Sequence, residues 1–223
     1  MNSLRSLLTS LHTIIIDLLA PPRCAACAVL LKERAILCIE CKDRITPVIS
    51  TTLMLTATKS MKAYAAGAYQ EPLKTLILAK HRGDQTAGIF LGELMWHLTP
   101  INTIAFDYIV PIPLHWTRYA HRGFNQAEEM ASVIARMSGK PVLHLLKRGK
   151  RTQYQSTLSA HDRTSNMSDA FILTTHDVAQ YQGKTLLLVD DLMTTGATLQ
   201  VAGRALLQLK PASLIVALGA RAI

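Results

Sequence analysis

The sequence predicts an α/β fold with a doubly wound, mainly parallel sheet, preceded by a small N-terminal module that contains all the cysteines. An apolar run at 185–189 is typical of a parallel strand that is buried on both faces. A loop, a helical pattern at 199–209 and a second apolar run at 213–218 follow it. This β–loop–α–β order indicates parallel strands joined by crossover helices.

The size and composition indicate a globular protein with one main domain and an appendage. The chain has 223 residues, of which 49% are hydrophobic and 17% are charged, and this composition argues against a disordered chain. We expect a module at 1–60, with a Thr/Ser-rich linker at 46–60, and a main domain at 61–223. The longest uncharged run has 14 residues, which is shorter than the roughly 18 needed for a transmembrane segment.

The first 20 residues have the spacing of an amphipathic helix that ends at Pro21. The segment superficially resembles a signal peptide, but Asp17 interrupts its apolar stretch. In addition, Pro21, Pro22 and Arg23 stand where a cleavage site would need small residues. We therefore expect a packing helix in a cytoplasmic protein.

The positive charge is concentrated in the middle of the chain. The net charge is +9, and residues 101–165 hold 9 Lys and Arg against 4 Asp and Glu. Residues 166–223, in contrast, hold 4 of each. The excess favours anionic partners, either phosphorylated small molecules or nucleic acid. The alternative is an ordinary solvated surface.

The cysteines form two Cys-x-x-Cys pairs, Cys24 with Cys27 and Cys38 with Cys41, separated by ten residues. Two such pairs can place four thiolates at the corners of a tetrahedron, so the spacing predicts a structural zinc site. Disulfides in a secreted domain would usually be spread along the chain to close longer loops. A redox-active pair and free thiols are the alternatives.

Further elements are indicated between the module and the apolar run at 185–189. We expect a strand at 62–69, a helix that begins near Pro72, a helix at 86–98 and a short strand within 107–113. Asn125 and Glu128 have the spacing of a capping box at the start of a further helix. Residues 147–169 are polar and weakly patterned, and we expect a mobile loop there.

Two carboxylates followed by hydroxyl and glycine residues mark the candidate site. In open α/β sheets, ligands bind where parallel strands end. Backbone N–H groups and hydroxyls at a helix N-terminus can hold a phosphate, and the carboxylates can accept hydrogen bonds from sugar hydroxyls and help to hold Mg²⁺. The pattern predicts a ribose-5-phosphate site, and simple helix capping is the alternative. The residues concerned are Asp190, Asp191, Thr194, Thr195, Gly196, Ala197 and Thr198.

This segment resembles the PRPP (5-phosphoribosyl 1-diphosphate) signature of type I phosphoribosyltransferases. Together with the cysteine pairs and two further motifs, it resembles the ComF family of competence-associated, phosphoribosyltransferase-like proteins. The further motifs are Val110-Pro111-Ile112-Pro113-Leu114 with Arg122-Gly123-Phe124-Asn125-Gln126, and Arg151-Thr152-x-x-Gln155-x-x-Leu158 with Arg163-x-x-Asn166.

The resemblance implies a type I phosphoribosyltransferase fold and a site for PRPP with Mg²⁺ between its pyrophosphate and ribose. Residues 110–114 would face the pyrophosphate, and residues 147–166 would close over the site. Arginine binds phosphate oxygens in a bidentate manner. Arg122 is therefore the preferred catalytic candidate beside Asp190 and Asp191, and Arg118, Arg151 and Arg163 are further candidates or ordinary surface arginines. Gln155 and Asn166 are polar contacts or order the loop.

The resemblance also implies a role in natural transformation, the handling of incoming DNA. Two hypotheses remain open. The chain is either an enzyme that transfers ribose 5-phosphate from PRPP to an amine or base, or a binding protein whose basic 147–163 region holds single-stranded DNA and whose phosphate loop is a regulatory or vestigial site. DNA-processing competence proteins are an alternative partner. Single-stranded DNA sites interleave basic and aromatic residues, and this pattern is only partly present near the basic segments.

Overall fold

A five-stranded sheet forms the centre of the protein. The computed structural model describes residues 21–33, 35, 37–46, 48–79, 85–114, 123–149 and 170–223. The expected helix at 1–20 lies outside these residues. The strands are β1 (Val48–Met54), β2 (Ser60–Ala65), β3 (Tyr108–Pro111), β4 (Leu146–Arg148), β5 (Phe171–Leu173), β6 (Thr185–Met193) and β7 (Ser213–Arg221). The main sheet has the order β1-β2-β7-β6-β3, and only β1 is antiparallel to its neighbour.

Helices cover both faces of this sheet, which confirms the expected doubly wound α/β fold. They are α1 (Ile39–Asp43), α2 (Leu73–Leu78), α3 (Thr86–Leu98), α4 (Gln126–Ser138), α5 (Val178–Tyr181) and α6 (Ala197–Leu206). Leu187 and Val189 of β6 pack with α2, α3 and α4, whereas Leu186 and Leu188 pack with α6 on the opposite face. All four side chains are fully buried, as expected for a central parallel strand.

Glycines allow α3 and α4 to approach closely on one face of the sheet. A Cβ atom at Gly88 would lie 3.0 Å from the Cβ of Glu129, and one at Gly92 would lie 2.8 Å from the Cβ of Val133. The earlier glycine of α3 lies against the earlier residue of α4, and the later glycine against the later residue. The two helices therefore run in the same direction. No helix of the described residues is long and apolar enough to cross a membrane.

The expected start of α4 is confirmed. Asn125 is its N-cap, and the side-chain oxygen of Asn125 accepts a hydrogen bond from the N–H of Ala127 at 3.2 Å. The Nδ2 of Asn125 also donates to Oε1 of Glu128 at 3.3 Å. The helices that were expected near Pro72 and at 86–98 are likewise present as α2 and α3.

Two expected loops contain strands instead. Interpreting 46–60 as a linker was wrong, because Val48–Met54 forms β1 and pairs with β2. The Nε2 of Gln200 on α6 donates to the backbone oxygen of Met54 at 3.1 Å, so β1 is also bound to the helix layer. The start of the expected loop at 147–169 belongs to β4, which pairs with β5, while residues 150–169 lie outside the described residues.

Candidate functional site

The ends of the parallel strands bring the candidate residues together at one edge of the sheet. Pro111 at the end of β3 is paired with Val189, and Met193 at the end of β6 is paired with Arg221 of β7. Ala68, just after β2, forms a bridge with Arg221. The edge is therefore continuous from β3 to β2, with β6 and β7 between them. Ligands of open α/β sheets bind at this edge.

Asp190 and Asp191 lie inside β6 rather than after it. The strand continues to Met193, and Asp190 is paired with Leu218 of β7. Both carboxylates are half-buried, and the N–H of Asp191 donates to Oδ1 of Asp190 at 2.9 Å. A Cβ at Gly219 would lie 2.8 Å from the backbone oxygen of Asp191, so glycine lets β7 pack closely here. The two carboxylates are thus fixed by the sheet itself.

The loop after β6 requires glycine at position 196. Gly196 has a φ angle of +80° and is the N-cap of α6, and a Cβ there would lie 2.9 Å from Cδ2 of Leu53. The side chains of Thr194, Thr195 and Thr198 are exposed. The N–H groups of the first helical turn and these hydroxyls therefore surround the N-terminus of α6, where the helix dipole favours an anion.

A small, partly open pocket lies against this loop. Residues 192–199 and Asp190 line it, so the structure brings a half-buried carboxylate and the predicted phosphate loop together in one pocket. Asp191 is the neighbouring residue on β6. This arrangement provides acceptors for hydroxyl groups next to donors for a phosphate.

Hydrogen bonds hold the segment just after β3 against β6 at the same edge of the sheet. The N–H of Ile112 donates to the oxygen of Val189 at 2.9 Å, and Nδ2 of Asn125 donates to the oxygen of Ile112 at 3.1 Å. Arg148 donates from Nε to the oxygen of Pro113 at 3.1 Å, and its guanidinium carbon lies 4.6 Å from the ring centre of Phe171. Sequence reasoning placed Arg148 in a mobile basic segment and missed this anchoring contact.

Several predicted site residues lie outside the described residues. They are the preferred catalytic candidate Arg122, the other candidate arginines, and the two polar residues of the third motif: Arg118, Arg122, Arg151, Arg163, Gln155 and Asn166. Their roles stay predictions.

The four cysteines form a cluster that can hold a metal ion. Their sulfur atoms all lie within 4.8 Å of one another, and the sulfurs of Cys27 and Cys38 are 3.7 Å apart. Tetrahedral Zn–S bonds near 2.3 Å place neighbouring sulfurs about 3.8 Å apart, so the donor set fits zinc. All four are free thiols, so the cluster is not a pair of disulfides.

The local backbone holds these sulfurs in place. A hairpin turn carries the first pair, and the N–H of Ala28 donates to the oxygen of Cys24 at 2.9 Å. Cys38 is the N-cap of α1, and its sulfur accepts from the N–H of Cys41 at 3.4 Å. Burial raises the pKa of the Cys24 thiol, but hydrogen bonds from surrounding backbone groups outweigh this and lower the pKa to about 6.

The cysteine module packs on the main domain. Cys24 and Cys41 are buried in the same apolar cluster as Leu73 and Leu76 of α2. Position 67 is glycine, and a Cβ there would lie 2.7 Å from Cδ1 of Leu73 and 3.0 Å from Cγ2 of Ile45. The stability of the module is therefore coupled to that of the sheet domain.

Part of the main domain matches a known domain family. Residues 120–221 match the phosphoribosyl transferase domain. The chain is 38% identical to Competence protein F of Haemophilus influenzae over 94 residues, which are 42% of this chain and 41% of that protein. It is 33% identical to Competence protein ComFC of Bacillus subtilis over 142 residues, which are 63% of this chain and 55% of that protein.

A third relative is similar over most of both chains. The DNA utilization protein YhgH of Salmonella typhimurium is 27% identical over 197 residues, which are 83% of this chain and 84% of that protein. The chain spans about half the length of the two competence proteins that it matches. With the fold and the cysteine cluster, these matches make the chain similar to competence and DNA utilization proteins, and they support a phosphoribosyltransferase-like protein of the ComF kind.

Proposed function

We propose that this chain binds PRPP, or a related ribose-5-phosphate ligand, together with Mg²⁺ at the carboxyl edge of the sheet. The observation that carries the proposal is the pocket in which Asp190 lies beside the 194–198 loop at the start of α6. A phosphate at the helix N-terminus next to carboxylate acceptors matches the two ends of ribose 5-phosphate.

Each group in the pocket has a proposed role. The N–H groups and hydroxyls of 194–198 hold the 5-phosphate, and Asp190 and Asp191 accept hydrogen bonds from the ribose hydroxyls. The same carboxylates help to hold Mg²⁺, which neutralises charge on the pyrophosphate. Arg122 is proposed to contact the pyrophosphate. The cysteine cluster is proposed to hold structural zinc, because its sulfur spacing fits that ion.

We propose that the protein acts in natural transformation, in the handling of incoming DNA. This proposal is supported by the relatives, which are named as competence and DNA utilization proteins. In such a protein, a ribose-phosphate site serves either as a regulatory site, at which the bound ligand controls the protein, or as a catalytic site.

A thermal-stability screen tests the proposed ligand. PRPP with Mg²⁺ at about 100 times its dissociation constant should stabilise the folded state by about 2.7 kcal/mol, because a ligand that binds only the folded state shifts the unfolding equilibrium. Ribose 5-phosphate and nucleoside monophosphates should give smaller shifts. If none of these ligands raises the melting temperature, the loop is only a helix cap.

An active phosphoribosyltransferase with no direct DNA role is the second candidate. The half-buried carboxylates and the match to a phosphoribosyl transferase domain favour it. The two candidates differ in turnover, so release of pyrophosphate from PRPP on addition of amines or nucleobases would favour the enzyme.

DNA binding by the basic segment gives a separate prediction. Replacing Lys147, Lys150 and Arg151 by alanine should reduce the salt dependence of single-stranded DNA binding by about 2 units of logarithmic slope, since each neutralised phosphate contributes about 0.7. Arg148 is kept, because it is bound to the oxygen of Pro113. Affinity is measured by fluorescence anisotropy at several salt concentrations.

The control replaces three exposed lysines elsewhere, Lys59, Lys62 and Lys74, by alanine. The control should keep the slope of the unmodified protein. A slope that is unchanged by the test variant, or reduced equally by the control, would show that the basic segment is ordinary surface.

A further inference from the structure

A half-buried cation that has no side-chain partner among the described residues lies at the end of β7. Of the Lys and Arg side chains in the described ranges, three are half-buried: Arg148, Lys184 and Arg221. Arg148 donates to the oxygen of Pro113, and Lys184 lies 3.6 Å from Oδ1 of Asp107. The Arg221 side chain has no hydrogen bond or ion pair with any part of the chain that the structure describes.

The backbone of Arg221 is held rigidly between two neighbouring strands. Its N–H donates to the oxygen of Gly67 at 3.0 Å, and its oxygen accepts from the N–H of Tyr69 at 2.7 Å. On the other side, the N–H of Ala222 donates to the oxygen of Met193 at 2.8 Å. The residue is therefore part of the sheet edge rather than of a free chain end.

The register places Arg221 on the same face of the sheet as the phosphate loop. Arg221 is paired with Met193, and paired residues of neighbouring strands, about 4.8 Å apart, project to the same face. Met193 is buried with Leu199 of α6, and its sulfur lies 3.5 Å from the Cβ position of Gly196. Arg221 is thus one strand away from a side chain that contacts the 194–198 loop.

We propose that the guanidinium of Arg221 binds the phosphate group that the 194–198 loop holds. This inference rests on the proposed function of the same site. Partial burial of a cation is unfavourable unless a partner compensates it, and a phosphate oxygen is the partner that a guanidinium binds best. The loop supplies neutral N–H and hydroxyl donors from one side, and Arg221 supplies the positive charge from the neighbouring strand.

Calorimetric titration with inorganic phosphate, ribose 5-phosphate and PRPP with Mg²⁺ tests this assignment. Arg221→Gln should weaken the binding of all three by about tenfold or more, because each loses the same charge-assisted contact. Arg221→Lys keeps the charge but not the bidentate geometry and should restore part of the affinity. Arg204→Gln is the matched control, since Arg204 is exposed on α6, and it should bind all three ligands normally.

The outcomes separate this inference from the proposed function. If the unmodified protein binds none of the three ligands, both fail. If it binds them and folded Arg221→Gln binds equally well, only the role of Arg221 is wrong. If Arg221→Gln weakens PRPP alone, Arg221 contacts the pyrophosphate end, and the placement beside the loop phosphate is overturned. If Arg221→Gln does not fold, Arg221→Lys decides the question. The assignment is overturned if Arg221→Lys binds all three ligands as tightly as the unmodified protein does.

Discussion

Replacing Cys38 by serine is expected to remove most of the bound metal and to destabilise the protein. Cys38 supplies one of four sulfur atoms that lie within 4.8 Å of one another, and its backbone starts α1. The binding energy of such a site is folding energy, so we expect the free energy of unfolding to fall by about 3 kcal/mol or more. Metal content should fall well below the one zinc per chain that we expect for the unmodified protein.

Ile39→Ser is the control for this change. Ile39 is the adjacent residue and is 76% exposed, so its replacement alters the same turn without removing a sulfur. It should retain the metal and nearly all of the stability. Full zinc occupancy in a variant that lacks both Cys24 and Cys27 would contradict the four-cysteine site.

Replacing Asp190 and Asp191 together by asparagine is expected to abolish most of the stabilisation by PRPP. Loss of two charge-assisted acceptors should weaken binding by about 100-fold. At a PRPP concentration that stabilises the unmodified protein by about 2.7 kcal/mol, the variant should then gain only about 0.4 kcal/mol. The change is measured as the difference in melting curves with and without PRPP.

Asp177→Asn is the matched control for the carboxylate pair. Asp177 is the exposed N-cap of α5, and asparagine caps a helix as well as aspartate does. This variant should respond to PRPP like the unmodified protein. An unchanged response of the double variant would mean that neither carboxylate contacts the ligand.

The central part of the fold could be predicted because its signals are local and strong. The apolar run at 185–189 has no polar interruption, and each of its leucines is fully buried. Asn125 and the apolar spacing after it similarly marked the start of α4. In these segments the local pattern and the tertiary packing favour the same structure.

The linker interpretation failed because β1 lacks the pattern of a buried strand. Val48–Met54 is an edge strand with three hydroxyl residues, and much of it faces solvent. Its Thr and Val residues are β-branched and favour strands, but pairing with β2 depends on contacts far from the local sequence. The contact between Gln200 and Met54, 146 residues apart, illustrates this dependence.

The sequence located the loop of the candidate site but not its surroundings. Asp190 and Asp191 were expected after the strand, because charged residues usually end a buried run, yet the ladder with β7 continues to Met193. Arg148 and Arg221 belong to no recognisable motif, and their positions follow only from strand register. In the sequence, the one signal that could have identified Arg221 is a basic residue directly after an apolar run.

A binding isotherm for PRPP, measured with and without Mg²⁺, tests the central claim most directly. We expect one site per chain, with clearly tighter binding when Mg²⁺ is present, because the ion neutralises charge between the carboxylates and the pyrophosphate. The double Asp190→Asn, Asp191→Asn variant should lose this dependence on Mg²⁺. An absence of saturable binding by the unmodified protein under both conditions would contradict a PRPP site at this edge of the sheet.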